Sequence, residues 1–202
     1  MPAEDIFNLD NKESILRLLI RQLCTVENSN ELTPLYLRDF NLTSISIPKK
    51  FNLKNVQLKG QEKAYKEIRD IINADCTFFE EKGFGPNVFT ALNEALLNAY
   101  QHGNKKNISK KISYGYQLSN SDKRLDLMVE DEGGIINPEF VPFILMHRSK
   151  KPVFVDFYTF ASKTKPPENQ GTGTLFMHQY MDEVFYYKSK KDGLLVHMYK
   201  TI

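Results

Sequence analysis

The hydrophobic pattern along the chain predicts three helices in its central and C-terminal parts. Apolar residues spaced three and four apart predict one helix that ends near Gly83 and a second that starts near Pro86 and ends at His102–Asn104. Asn87 is the candidate N-cap of the second helix. A third helix is predicted over Thr174–Met181. The two apolar stripes consist of Ala64, Ile68, Ile71, Ile72 and Cys76, and of Val88, Leu92, Ala95, Leu96 and Ala99.

Alternation of apolar and polar residues predicts two hairpins. Residues 112–118 and 125–129 alternate on either side of a polar turn, and residues 184–187 and 194–199 form a closing pair. Val56–Leu58 is a further short strand candidate. The order is helix, helix, two strands, long loop, helix, two strands. It predicts an α+β fold, with helices on one face of a mixed, mostly antiparallel sheet.

The first 50 residues differ from the rest. Residues 15–23 carry an apolar stripe at helical spacing, and a second short helix is predicted near Leu32–Phe40. Ile45–Lys50 resembles a strand end or a linker. We therefore divide the chain into a helical N-terminal extension, residues 1–50, and a main domain, residues 51–202. The extension is interpreted as a cap on the main domain, with a dimer or partner surface as the alternative.

Composition and charge exclude several classes of protein. With 41% hydrophobic and 26% charged residues, the chain has the composition of a soluble globular protein. A formal net charge of +2 is too small to predict direct binding of nucleic acid or an anionic membrane. Cys24 and Cys76 lie far apart, so neither a disulfide framework nor a thiolate zinc site is predicted. Without a signal-peptide pattern or a membrane-length apolar run, we expect a cytoplasmic protein.

The first of three candidate motifs lies on the second predicted helix. Glu94 and Asn98 are four residues apart, so they share one helix face beside the apolar stripe. A carboxylate there can deprotonate an attacking hydroxyl, and an amide oxygen one turn further on can hold Mg²⁺. Taken alone, the pair is more typical of an exposed helix flank than of a site.

The second motif stands where a predicted strand ends. Asp131 is followed closely by Gly133 and Gly134. A carboxylate at this point can accept a hydrogen bond from an adenine amino group, and the glycines let backbone approach a flat base. The alternative is a plain acidic turn.

The third motif precedes the third predicted helix. It consists of Gly171, Thr172, Gly173 and Thr174. Glycine-containing backbone at a helix N-terminus offers N–H donors and a favourable dipole to phosphate. The motif is not a P-loop, because no Gly-Lys-Ser/Thr follows it.

The three motifs, in this order, resemble the N, G1 and G2 boxes of the GHKL ATPases. NEALLNAYQHGN (residues 93–104) is similar to the N box, VEDEGGIINPE (129–139) to the G1 box, and QGTGTLFMHQYMDEV (170–184) to the G2 box. Within that superfamily the likeness is to the bacterial anti-sigma factor serine/threonine kinases. It covers roughly residues 55–200.

The resemblance implies a two-layer α/β sandwich of the GHKL (Bergerat) type that binds ATP and Mg²⁺. It assigns Glu94 as the general base, Asn98 as the Mg²⁺ ligand and Asp131 as the residue that reads adenine. Lys163 and Lys165 would lie in a lid and neutralise phosphate charge. The implied ATP-binding set is Asn98, Asp131, Gly133, Gly134, Lys163, Lys165, Gly171, Thr172, Gly173 and Thr174.

The chain departs from the family pattern in four places. Ile135 stands where the second glycine of the G1 box is usual, and Asn137 replaces the acidic residue that often follows. Leu194 stands where a threonine commonly supports the adenine-binding aspartate. The segment from about 139 to 170 is longer than usual and contains an aromatic run, Phe154–Phe160. That run is interpreted as packing inside an enlarged lid, with a protein docking surface as the alternative.

Three functions follow from the resemblance. The leading one is a bacterial regulatory kinase that phosphorylates a serine or threonine of a partner, binds a sigma factor or its antagonist, and forms a homodimer. The second is an ATP-binding switch that has lost phosphotransfer, which Ile135 favours and which Glu94 and Asn98 oppose. The third, the catalytic part of a sensor histidine kinase, is disfavoured because the first histidine, His102, lies inside the N box.

Overall fold

The described part of the chain, taken from a computed structural model, folds into three helices and one sheet. It comprises residues 40–119, 121, 123–133, 147, 164 and 171–202. None of the helices in these ranges is long and apolar enough to cross a membrane. In chain order the elements are β1 Phe40–Ile45, β2 Asn52–Val56, α1 Ala64–Glu81, α2 Asn87–Asn98, β3 Ile112–Ser119, β4 Arg124–Asp131, α3 Gly173–Tyr180, β5 Glu183–Ser189 and β6 Leu194–Thr201.

The sheet has six strands in the order β1-β5-β6-β4-β3-β2. Its edge strand β1 runs parallel to β5, with Phe40 beside Tyr186. The other neighbouring pairs are antiparallel. The predicted mixed, mostly antiparallel sheet is therefore confirmed.

The helices pack on one face of this sheet and enclose the main core. Side chains on the inner faces of α1 and α2 are fully buried, as at Ile68 and Leu96. They meet alternate residues of β3 and β4, such as Tyr114 and Leu127. Burying one such aliphatic side chain contributes about 1.5–3 kcal/mol, so this layer dominates the stability of the domain. The two-layer α+β sandwich predicted from the sequence is confirmed.

The other face of the sheet is partly covered by the connection between β1 and β2. These two strands lie at opposite edges, so residues 46–51 cross that face. Phe51 buries itself against Met128 and Leu195, and Ile47 packs beside them. A Cβ on Gly115 would come within 2.9 Å of Ile47 Cγ2, so the sheet leaves room for the crossing chain.

Helix boundaries and both hairpins agree with the sequence prediction, with three local differences. Asn87 is not the N-cap of α2, because Pro86 takes that position with helical backbone angles. The strand expected at Val56–Leu58 ends at Val56. It lies on a sheet edge where Leu53 is 53% exposed, so apolar and polar residues do not alternate cleanly. Phe40 begins β1 instead of ending a helix. The predicted helices within residues 1–39 lie outside the described residues.

Candidate functional site

The N-box helix ends in a wide turn that reaches strand β4. Beyond Asn98, residues Ala99–Gly103 form a π-helical turn, and the Asn104 N–H donates to the Ala99 carbonyl at 2.7 Å. Such turns widen a helix and often occur at functional sites. A Cβ on Gly103 would overlap the carboxyl group of Asp131. The N and G1 boxes therefore meet at Gly103 and Asp131.

Asn104 joins this helix end to the loop that follows β4. Its side chain is 1% exposed. Its Nδ2 donates to the Lys111 carbonyl at 3.1 Å, and its Oδ1 accepts the Glu132 N–H at 3.0 Å. The sequence analysis treated Asn104 only as a helix terminus. Its amide satisfies buried backbone groups from two further segments, which sequence spacing does not reveal.

Asp131 is a buried carboxylate held by backbone amides. It is 3% exposed, and its Oδ1 accepts the N–H of Gly133 at 2.8 Å and that of Leu194 at 3.2 Å. Burial raises the pKa of Asp131 to about 6, although both N–H donors act in the opposite direction. Leu194 stands where the family commonly has a supporting threonine. At position 194 the hydrogen bond to Asp131 therefore comes from the backbone N–H, and it does not depend on the side chain there.

Gly133 and Gly193 are glycines because backbone packs against backbone around Asp131. A Cβ on Gly133 would overlap the Gly103 carbonyl, and a Cβ on Gly193 would overlap the Asp131 carbonyl. The resemblance implied that Gly133 lies against the base. That role stays a prediction, and the close approach to Gly103 is a separate reason for the glycine.

We expect Gly133→Ala to destabilise the domain by about 1–3 kcal/mol, because the added methyl group must displace backbone that is already close-packed. ATP affinity should fall with it, since the shift breaks the Gly133 N–H bond to Asp131. Urea unfolding and calorimetry measure the two effects. Gly60→Ala is the matched control. Gly60 has extended backbone (φ −167°), and its new Cβ would meet only the flexible end of Glu62. Equal stability of the two variants would contradict the prediction.

The predicted phosphate end of the site lies where α2 meets α3. A Cβ added to Gly173 would lie 2.7 Å from Glu94 Oε2 and 3.3 Å from Asn98 Oδ1. Gly173 is the first residue of α3, and Thr172 at the N-cap makes no side-chain hydrogen bond to this turn. Gly171 has a φ of 69°, in the left-handed region that favours glycine. The structure thus brings the N-box and G2-box residues Glu94, Asn98 and Gly173 together.

Burial also changes the chemistry of Glu94. The side chain is half-buried beside α3, and this desolvation raises the pKa of its carboxyl group. Glu94 and Asn98 supply a carboxylate and an amide oxygen, which are the donor types that Mg²⁺ prefers together with phosphate oxygens. The described ranges contain no cluster of three or more His, Cys, Asp or Glu side chains arranged for a metal.

The two ends of the site are separated along one helix. From Glu94 the α-helix runs on to Asn98, and the π-helical turn Ala99–Gly103 then carries the chain to Asp131. Asp131 lies at one end, and the N-terminus of α3 at the other.

Thr174 contacts His147, a histidine that the sequence analysis did not single out. Gly134, Ile135, Lys163, Lys165 and Phe154–Phe160 lie outside the described residues, so the predictions made for them are untested.

Comparison with known proteins agrees with this geometry. A family model described as a histidine kinase-like ATPase domain matches residues 64–200. That range contains both helices of the site, the Asp131 strand and the closing hairpin. No curated protein matched the chain significantly. The chain therefore belongs to the histidine kinase-like ATPase family, and residues 64–200 form its ATP-binding domain.

Proposed function

We propose that this domain transfers the γ-phosphate of ATP to a serine or threonine of a partner protein, as an anti-sigma factor kinase does. One observation carries the proposal. Glu94 and Asn98 converge on the first residue of α3, with their oxygens within 3.3 Å of the position of a Gly173 Cβ. A base and a ligand for the phosphate-bound cation thus stand beside a helix N-terminus that favours phosphate.

In this reaction Glu94 acts as the general base. Its carboxylate accepts the proton of the attacking hydroxyl while that oxygen bonds to the γ-phosphorus. The bond from the γ-phosphorus to the bridging oxygen breaks, and ADP leaves with the electron pair. Because burial raises the pKa of Glu94, its carboxylate is a stronger proton acceptor than an exposed glutamate.

The remaining residues bind and orient the nucleotide. Asp131 accepts a hydrogen bond from the adenine amino group, and the N-terminal turn of α3 donates N–H groups to phosphate. Asn98 Oδ1 is the proposed Mg²⁺ ligand. When bound, Mg²⁺ neutralises charge on the transferring phosphoryl group.

The partner is proposed from the resemblance of the N and G2 boxes, residues 93–104 and 170–184. In this scheme the domain binds a sigma factor in one state. In the other state it phosphorylates an antagonist protein. A homodimer is the proposed assembly. A cytoplasmic location goes with these partners.

The test is a transfer assay with purified protein, Mg²⁺ and γ-labelled ATP against candidate antagonist proteins. We expect one labelled serine or threonine, located by mass spectrometry, and one ADP formed per phosphate transferred. If ATP binds and yet neither labelled protein nor ADP forms, phosphotransfer is refuted. A nucleotide-dependent switch would then be favoured, as Ile135 in the G1 box already suggests.

A further inference from the structure

A buried histidine contacts the phosphate end of the site. His147 is 2% exposed, and its Nδ1 lies 2.8 Å from Thr174 Oγ1. His147 belongs to the segment between the G1 and G2 boxes, whereas Thr174 is the second residue of α3. The contact therefore joins two segments that are far apart in sequence, next to Glu94 and Asn98.

Thr174 is well placed to control the first turn of α3. It directly follows Gly173, where a Cβ would lie 2.7 Å from the Glu94 carboxylate and 3.3 Å from Asn98 Oδ1. The N-cap residue, Thr172, does not anchor this turn through its own side chain. The hydrogen bond to the Thr174 hydroxyl therefore gives this turn a side-chain anchor that orients its N–H groups.

The ring of His147 acts by position rather than by charge. Burial lowers its pKa to about 4, so the imidazole is neutral at pH 7. A neutral ring buried behind Thr174 adds no Coulomb attraction for phosphate. Its contribution to this turn is the hydrogen bond to the Thr174 side chain.

We infer that His147 is a positioning residue for the phosphate groups of ATP: it holds Thr174, and with it the first turn of α3, against Glu94 and Asn98. The inference rests on ATP binding at this site but not on phosphotransfer. It predicts that losing the contact weakens binding of ATP and spares binding of adenosine, which lacks phosphates. A purely structural role would weaken both ligands equally.

The test measures the affinities of ATP and adenosine for the whole chain, by calorimetry, with no partner protein present. Thr174→Val removes the hydroxyl at constant shape, and His147→Leu removes the ring nitrogen. Each is expected to weaken ATP binding about three- to tenfold, the value of one hydrogen bond, with adenosine within about twofold of wild type. The double variant should be no weaker than either single variant, because both changes remove the same interaction.

Conservative and control variants sharpen the test. His147→Asn places an amide group near the Nδ1 position and should restore most of the ATP affinity. Thr77→Val makes the same change on an exposed part of α1, where the hydroxyl bonds the Asn73 carbonyl. His197→Leu removes a half-buried ring from the other face of the sheet, where it pairs with Asp126. Neither control should alter the ratio of ATP to adenosine affinity.

Equal losses for ATP and adenosine, or additive losses in the double variant, would overturn the inference. If His147→Leu does not fold, an unchanged ratio in Thr174→Val still overturns it. A wild-type chain that binds no ATP would refute the nucleotide site itself. A failed transfer assay with normal ATP binding would refute only the kinase proposal.

Discussion

Replacing Glu94 with glutamine is expected to lower the rate of phosphate transfer about 10²- to 10⁴-fold, the usual contribution of a general base. The amide fills the same space beside Gly173 but does not accept the proton of the attacking hydroxyl. ATP affinity should stay the same or rise slightly, because a carboxylate next to phosphate is removed. Single-turnover transfer at saturating ATP and calorimetry measure the rate and the affinity separately.

Glu81→Gln is the matched control for this change. Glu81 ends α1 with its side chain exposed, so the same substitution there should leave the transfer rate unchanged. If Glu94→Gln transfers phosphate as fast as Glu81→Gln, Glu94 is not the base. A rate loss explained wholly by weaker ATP binding would also contradict the assignment.

Replacing Asp131 with asparagine is expected to weaken ATP binding and to stabilise the empty protein. The Asn oxygen can still accept the N–H groups of Gly133 and Leu194, which turns its own NH₂ group towards the adenine amino group. Two donors then face each other. Losing a hydrogen bond to a charged group costs about 1.5–3 kcal/mol, or about 10- to 100-fold in affinity.

The gain in stability follows from the raised pKa of Asp131. Burial raises the pKa of its carboxyl group to about 6 in the folded protein, from an ordinary value of 3.8. Because the folded-state pKa is the higher one, folding stability is lost as the pH rises from 3.8 through about 6. At pH 7 this loss amounts to as much as ~3 kcal/mol, and asparagine removes it. Near pH 4 the wild type and the Asp131→Asn variant should be equally stable.

Urea unfolding at pH 4 and pH 7, combined with ATP titration at pH 7, tests both effects of Asp131→Asn. Asp192→Asn provides the comparison, since Asp192 is exposed in the β5–β6 turn and asparagine tolerates its left-handed backbone. We expect no change in either property for that variant. A less stable Asp131→Asn protein at pH 7 would contradict the predicted gain in folding stability. A loss of ATP binding in that variant would then reflect a loss of folding.

Elements with a strong local period could be predicted from the sequence. Ala64, Ile68, Ile72 and Cys76 follow one helix stripe, and all are buried in α1. The hairpin of β3 and β4 alternates regularly, and in the structure Tyr114 lies opposite Val129 on the core face. In both cases the side chains that face the core are close neighbours in sequence, so local pattern and tertiary packing agree.

Contacts between distant segments could not be predicted in this way. The parallel pairing of β1 with β5 joins residues such as Phe40 and Tyr186, and no local pattern specifies that partner. The Asn104 bonds and the Leu194 N–H that supports Asp131 depend on backbone groups, which every residue except proline carries alike. Sequence motifs therefore indicate candidate nucleotide-binding residues, such as Asp131, but not the backbone groups that hold them in place.

The position of Leu194 also has a consequence for how the protein is made. One of the two N–H donors to Asp131 comes from the start of β6, and the partner of edge strand β1 is β5. Both strands leave the ribosome after the rest of the described chain. The emerging polypeptide can form its helices and the β3–β4 hairpin early. Strand β1 stays unpaired until β5 is synthesised, because the two strands are separated by more than two-thirds of the chain. A nascent chain therefore completes the two N–H bonds to Asp131 only as synthesis of the described region ends, and until then its unpaired strands are exposed to aggregation.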